Sequence, residues 1–342
     1  MGLELFTQSI PEVGRAERFA ERAEAGGWDG ISLTDSQNLV GDPFIAMALG
    51  AKVTTTLKFM TGVSNVATRH PAVLATTVAT VQEISGGRAI LGIGRGDTAL
   101  FHLGRKPMPI KDFFPAVEQV HAYLQGETVD QRGHESRLRW LDRARQPAVP
   151  LDLAASGPKV IAFAARTAER ITFAVGADPA RLAWALDLAR TAMDEAGRPR
   201  DAVSFGAYVN VGCHPDPAVG RELIKGSIAA FAHFSAMPGS TGAGLDEKDK
   251  AIVAEVGRRY DSNVHLMNAA DHSAALENDF VDRFGVVGPP TECIDRLLVL
   301  AALGLDRFVI TGPTLDADRE QGRVATRLLR DEVVPALHAA NP

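Results

Sequence analysis

Residues Arg88 to Leu103 read R-A-I-L-G-I-G-R-G-D-T-A-L-F-H-L. Ala89-Ile90-Leu91 is a short, wholly apolar run, the pattern of a strand buried on both faces in a parallel sheet. It gives way to Gly92-Ile93-Gly94-Arg95-Gly96-Asp97. Glycines at alternate positions let a backbone approach a ligand closely and adopt dihedrals closed to other residues. Between Gly94 and Gly96 the Arg95 guanidinium offers a fork of donors suited to phosphate, and Asp97 sets a carboxylate at the mouth of the same turn. The spacing is not G-x-G-x-x-G, and Gly104 and Pro107 interrupt any long helix after it, so a Rossmann fingerprint does not fit. A plain turn is the competing reading of the glycines. The flanking chain decides between them.

Working outward, strand and helix patterns alternate. Leu3–Thr7 reads as a first strand, Trp28–Asp35 as the second, Lys58–Val63 as the third and Arg88–Leu91 as the fourth. Between them, Val13–Ala25 carries apolar residues at amphipathic-helix spacing, Asp42-Pro43 supplies a cap and first turn, and His70-Pro71 opens a helix that Gly86-Gly87 ends. After a helix over Ile110–Leu124 comes a charged excursion from Gly126 to Gln146. Leu151–Ala155, Ile171–Ala174, Ser204–Val211 and Arg307–Thr311 complete eight strands. Helices are expected after each, with further helical segments over Ala218–Ala236 and Lys248–Ala275. Eight β/α units within 342 residues predict one (β/α)8 TIM barrel over residues 1–342. The stretch 238–284 is too long for a simple loop and is expected to be an insertion near the barrel mouth.

Composition excludes other classes. A net charge of −6 and no basic cluster argue against nucleic acid. No apolar run reaches membrane-spanning length, and Met1-Gly2-Leu3-Glu4 lacks the basic and apolar regions of a signal peptide, so the expected compartment is the cytoplasm. Cys213 and Cys293 each stand alone in an ordinary element, which predicts neither a disulfide framework nor a metal site.

In such barrels the chemistry lies at the carboxyl ends of the strands. Those ends carry Asp35-Ser36-Gln37-Asn38, Gly62-Val63-Ser64-Asn65, Gly94-Arg95-Gly96-Asp97 and Ala155-Ser156-Gly157. Ser156-Gly157-Pro158 places a hydroxyl and free amides at a helix start, an anion site that Arg95 can join. Each polar residue also has a structural reading: Asn65 and Asp35 as turn formers, Arg95 as a surface ion-pair partner, and Asp97 as a cap on Thr98 and Ala99. His70 reads as a cap. His102, just past the glycine turn, and the later His233 and His265 are candidate acid–base groups.

The runs Thr61-Gly62-Val63-Ser64-Asn65, Thr68-Arg69-His70-Pro71-Ala72, Ile84-Ser85-Gly86-Gly87-Arg88 and Leu91 to Asp97 together resemble the bacterial-luciferase-like superfamily, closest to its methylenetetrahydromethanopterin reductase branch. Ala154 to Pro158 and Leu303 to Phe308 also match; the 238–284 stretch does not. The resemblance implies a barrel, dimeric or larger, that holds a reduced flavin or deazaflavin at its mouth. On it, Arg95, Ser156 and Gly157 hold the cofactor phosphate, and Ala155 is a further cofactor contact. Asp35, Asn65 and Gly94 to Asp97 line the cofactor and reaction face, and the Gly62–Val63 peptide is cis. Sugar-phosphate and secondary alcohol dehydrogenases of the family have a histidine directly after the aspartate, where this chain has Ser36.

The function expected is a flavin- or F420-dependent oxidoreductase acting on a small molecule. Asp97, Asp35 and Asn65 are the candidate catalytic residues, and Gly62, Val63, Asn65 and Gly94 to Gly96 with the phosphate set are the cofactor contacts. Hydride exchange with F420 and oxygen chemistry with reduced FMN are the two forms it takes. A non-catalytic flavin-binding protein is the alternative of another class. A cofactor-free aldolase or isomerase lacks a lysine at a strand end.

Overall fold

The computed structural model describes residues 2–237 and 244–340. All eight expected strands form: β1 Glu4–Ser9, β2 Gly30–Leu33, β3 Lys58–Thr61, β4 Ala89–Gly94, β5 Leu151–Ala155, β6 Arg170–Phe173, β7 Ser204–Cys213 and β8 Arg307–Thr311. Their order in the sheet is β7–β8–β1–β2–β3–β4–β5–β6, with β6 returning to β7. The pairings are parallel, and the fold is a closed (β/α)8 barrel. By internal contacts the chain divides into two compact units, Gln8–Ala154 with Thr167–Arg170, and Met1–Thr7 with Ala155–Arg166 and Ile171–Pro342.

In the first unit, helices α1 Ala16–Ala25, α2 Pro43–Val53, α3 Pro71–Ser85 and α4 Ile110–Leu124 follow the pattern read from the sequence. Asp42 caps α2 through Oδ1, which accepts from Phe44 N and Ile45 N at 2.8 and 3.1 Å. His70 caps α3 through Nδ1, accepting from Ala72 N at 3.2 Å. Two strand ends differ from expectation. β3 stops at Thr61, and Ser64–Asn65 forms a separate short strand beside Ile93 and Gly94. β4 does not break at Gly92 but runs on to Gly94. The reason is a close backbone approach: a side-chain carbon on Gly92 would lie 1.9 Å from the Thr61 carbonyl oxygen. Thr61 Oγ1 both donates to Gly92 O at 2.8 Å and accepts from Gly92 N at 2.9 Å, taking the place of a strand–strand rung. The Gly126–Gln146 excursion contains a small antiparallel pair, Val129–Asp130 with Glu135–Ser136, and a 3₁₀ turn over Arg139–Arg143.

In the second unit, helix α5 Pro158–Thr167 follows β5 and α6 Pro179–Glu195 follows β6. Phe205 of β7 lies under Arg190 of α6, with the guanidinium 6.0 Å from the ring centre, so odd-numbered β7 residues face the outer helices. Even-numbered ones face the opposite, inner side. There Arg307, wholly buried, reaches past Gly206 to Ile171 O at 3.3 Å and Thr172 Oγ1 at 3.0 Å. Glycine is required at 206, because a side-chain carbon would lie 2.8 Å from the guanidinium.

Beyond β7 the chain makes α7 Pro217–Ala236 and α8 Glu247–Arg259, 3₁₀ turns at Ser262–Val264 and Asp271–Ala275, and α9 Asn278–Phe284. The expected continuous helix over Lys248–Ala275 thus ends at Arg259. The excursion closes on a strand missed in the sequence, Val286–Gly288, which pairs with Val211–Cys213 at the carboxyl end of β7. Of the expected insertion at 238–284, residues 238–243 lie outside the described residues. α10 Pro290–Ala301 then leads to β8, and Arg319–Leu328 begins the last helical segment. Cys213 and Cys293 are neighbours and not lone thiols, because β7 and α10 meet at Gly288. Both are buried and unlinked, and the Cys293 thiol donates to Gly288 O at 3.3 Å. Among the described residues no helix is long and apolar enough to cross a membrane.

Candidate active site

The first unit gathers most of the expected residues at the carboxyl ends of β2, β3 and β4. Asp35 follows β2 and is almost wholly buried. Its Oδ2 accepts from Ser64 Oγ at 2.7 Å and from Arg69 Nη1 in a close ion pair. Arg69 Nη2 meets the second oxygen of Asp42 at 2.7 Å, and the guanidinium lies 5.0 Å from the centre of the Phe44 ring. One aspartate therefore caps α2 and anchors the cation that anchors the other. Burial pushes the Asp35 carboxyl above its ordinary value; the bonds from Ser64 and Arg69 oppose this without cancelling it.

Arg69 is the partner that sequence reasoning missed. A signal was present. A cation two residues before a helix opposes the positive end of the helix dipole, which calls for a specific anionic neighbour.

The Gly62–Val63 peptide is cis, as the resemblance implies. Gln8 Nε2 donates to the Gly62 carbonyl at 2.8 Å. Neither Gly62 nor Gly94 has room for a side chain: a Cβ would fall 2.0 Å from Ser32 Oγ at the first and 2.8 Å from Val63 Cγ2 at the second. Gln8 Oε1, Ser32 Oγ and Thr34 Oγ1 are buried with no hydrogen-bond partner among the described residues. Asn65 is buried too, but its Oδ1 accepts from Ala67 N, Thr68 N and Thr68 Oγ1 at 2.9–3.1 Å. That oxygen organises the turn.

Arg95 is half-buried, and its Nε donates to Met108 O at 2.9 Å while Met108 N returns a bond of 3.0 Å to Arg95 O. Burial lowers its pKa, and the nearby Asp97 charge works the other way. Gly96 needs its glycine, with φ at +73°. The capping reading of Asp97 is not what forms. Its carbonyl accepts from Leu100 N and Phe101 N at 3.0 and 2.8 Å, but its side chain makes no cap bond to the four-residue helix Thr98–Phe101. The backbone at Asp97 (φ −123°, ψ −87°) lies outside the extended conformation usual for a capping residue. His102 stands edge-on to Phe101, with its Nε2 buried and unpartnered among the described residues.

Ala155, Ser156 and Gly157 belong to the second unit. Gly157 O accepts from Val160 N and Ile161 N as α5 begins, Ala155 O accepts from Ala174 N at 2.9 Å, and Ser156 Oγ lies 3.5 Å from Phe234 O. His233 and His265 sit with Tyr260 in the excursion after β7: the His233 ring stacks on Tyr260 at 3.8 Å, and the Tyr260 hydroxyl bonds His265 Nδ1. A cleft of about 600 Å³ in this unit is lined by Glu222, Asp316 and Asp318 and by no lysine or arginine, the wrong charge for a phosphate.

The profile of the luciferase-like monooxygenase family matches residues 4–307. The chain belongs to that family. Relatives of this luciferase-like protein span nearly its whole length. The 5,10-methylenetetrahydromethanopterin reductase of Methanopyrus kandleri is 25% identical, the alignment covering 98% of this chain and 97% of the relative. The F420-dependent glucose-6-phosphate dehydrogenase of Microbacterium testaceum is 30% identical, covering 93% and 92%. Among solved structures, the coenzyme F420-dependent tetrahydromethanopterin reductase of Methanopyrus kandleri matches with a TM-score of 0.76 at 22% identity, over 98% of this chain and all of that one. This luciferase-like protein is an enzyme, an oxidoreductase of the kind that works with F420 or a flavin.

Proposed function

We propose that this protein binds F420 at the carboxyl ends of its barrel strands and moves hydride between it and a small organic substrate. The observation that carries the reading is the buried Asp35–Ser64–Arg69 arrangement beside two glycines with no room for side chains. Gly62 and Gly94 let these strand ends close on Ser32, Gln8 and Val63, which holds the arrangement rigid. The unpartnered Gln8, Ser32 and Thr34 oxygens suit a polar heterocycle. The bound cofactor supplies the hydride chemistry.

The chain's own part is orientation and the proton. Both hydrogen bonds to Asp35 fall on Oδ2, leaving Oδ1 to hold a proton that balances hydride arriving on the substrate. Arg69 fixes the carboxyl in place. Arg95, Ser156 and Gly157 are assigned to the phosphate, with Ala155, Val63 and Gly96 lining the ring and Asp97 standing as a second acid–base candidate. Ser36, where alcohol dehydrogenases of the family have histidine, favours reduction over imidazole-assisted alcohol oxidation. The stretch 238–284 is assigned as an insertion at the mouth of a single domain, supported by an excursion that leaves and rejoins the carboxyl end of β7. A homodimer or larger assembly is carried over from the resemblance.

A second reading is oxygen chemistry with reduced FMN, favoured by the half-buried Arg95 guanidinium close to the glycine turn, where a short-tailed phosphate would sit. Fluorescence titration with F420 and FMN side by side tests both. Saturable F420 binding and anaerobic turnover support the first, FMN binding with oxygen consumption the second. Binding of neither ends the proposal.

A further inference from the structure

Near the carboxyl end of β7, Asn210 is wholly buried, and neither its amide nitrogen nor its amide oxygen has a hydrogen-bond partner among the described residues. On the adjoining strand its register partner is Thr311, the last residue of β8, whose Oγ1 is likewise buried and unpartnered. Buried amides and hydroxyls are almost always satisfied, and two neighbouring exceptions demand a reason. Alternation puts Asn210 on the inner side of β7 with Gly206, and Thr311 on the inner side of β8 with Arg307. In the Gly206–Arg307 layer lower down, the terminal nitrogens of the guanidinium bond Ile171 O, Thr172 Oγ1 and Ser204 Oγ. The upper layer, at the strand ends where barrel chemistry is done, leaves a donor, an acceptor and a hydroxyl side by side.

We infer that Asn210 and Thr311 form a recognition subsite for an imide edge, a carbonyl and ring N–H in adjacent positions. A carboxamide presents a donor and an acceptor at the spacing such an edge requires, and the threonine hydroxyl takes a neighbouring carbonyl. Among the described residues neither side chain bonds a lysine, an arginine or a carboxylate, and an amide with a hydroxyl suits a neutral polar group better than a phosphate or carboxylate. The subsite rests on the proposed function, because F420 and FMN share a pyrimidinedione whose edge is such an imide. An orphaned amide kept in a core for a ligand's sake also makes a particular prediction. An apolar residue of similar size is tolerated by the fold and rejected by the ligand.

The test uses the full-length protein, with FMN, F420 and N3-methyl-FMN as probes. Asn210→Leu is expected to melt at or above the wild-type temperature while binding whichever cofactor the wild type takes at least tenfold more weakly. Thr311→Val is expected to show a smaller loss of the same kind. Unchanged cofactor affinity in either folded variant overturns the inference. Should Asn210→Leu not fold, Thr311→Val and the wild type decide: where FMN binds, N3-methyl-FMN, which lacks the imide proton, must bind at least tenfold more weakly, and equal binding overturns the subsite. Wild-type protein that binds neither cofactor overturns the functional reading and this inference together. Wild-type binding with unaltered variants overturns the inference alone.

Discussion

Ser64 Oγ donates a 2.7 Å hydrogen bond to Asp35 Oδ2, joining the short strand after the Gly62–Val63 peptide to the end of β2. The same oxygen takes Arg69. Two donors on one carboxylate oxygen give Asp35 a defined orientation, and burial raises its pKa against the pull of both. Either alone would leave a poorer acid: an exposed carboxyl would be ionised, and a buried unanchored one would be misplaced.

The linkage of Asp35 to stability has a definite sign. Its folded pKa lies above the ordinary value of 3.8. Its contribution to stability is therefore fully present below that value and lost as pH rises through the folded pKa. Asp35→Asn is expected to melt no lower than wild type at neutral pH, while turnover falls by about 10²-fold or more. Arg69→Met is the opposite case, because it strands a buried carboxylate. A loss of about 3–5 kcal/mol is expected by denaturant unfolding, together with an upward move of the alkaline limb of the pH–rate profile, which reports loss of the Asp35 proton. A variant as stable as wild type would show that Ser64 and solvent suffice to hold Asp35.

Glu24 on α1 works in the other direction. Burial raises its pKa, but bonds from Thr55 N, Thr56 N, Leu57 N and Thr56 Oγ1 outweigh that and bring it down to about 2. Its stabilisation is present above the ordinary value of 4.5 and lost as pH falls towards 2. The site is largely solvated, so Glu24→Gln is expected to cost only about 0.5–1 kcal/mol at neutral pH. The difference from wild type should shrink below pH 4 in acid-unfolding curves. A constant difference across that range would assign the effect to shape and not to charge.

Gly92→Ala tests the approach of β3 to β4. The added carbon would meet the Thr61 carbonyl oxygen at 1.9 Å, and backbone cannot rotate away as a side chain can. A cost of about 3 kcal/mol or failure to fold is expected. Gly14, with open space around the same position, provides the control substitution that should change stability little. Equal melting temperatures for the two variants would mean that the strands separate easily at Gly92.

The strands were legible because each is a short apolar run bounded by turn residues, a pattern set by burial on both faces. What the sequence hid was decided between elements. Val286–Gly288 is too short to alternate and becomes a strand only because β7 offers it an edge. The continuation of β4 through Gly92 depends on Thr61 supplying both a donor and an acceptor. Asp35 was found by its position at a strand end, but the residues that set its chemistry, Ser64 and Arg69, lie 29 and 34 positions away. Asn65 shares that position at a strand end, and its oxygen serves the turn.

Asp97 is the remaining test of the reaction face. It follows Gly96 at the end of β4, does not cap the helix it precedes, and its charge bears on Arg95, whose Nε is already committed to Met108. As a proton carrier it would lose turnover by about 10²-fold or more in Asp97→Asn, with cofactor affinity unchanged, because the amide keeps the shape and cannot give up a proton. As a partner that holds Arg95 towards the phosphate, it would instead show weakened cofactor binding, by about tenfold for one lost charge-assisted contact, and turnover restored at saturating cofactor. Measuring the dissociation constant and saturated turnover on the same variant separates these two roles. A variant that matches wild type in both would remove Asp97 from the site and leave Asp35 as its acid.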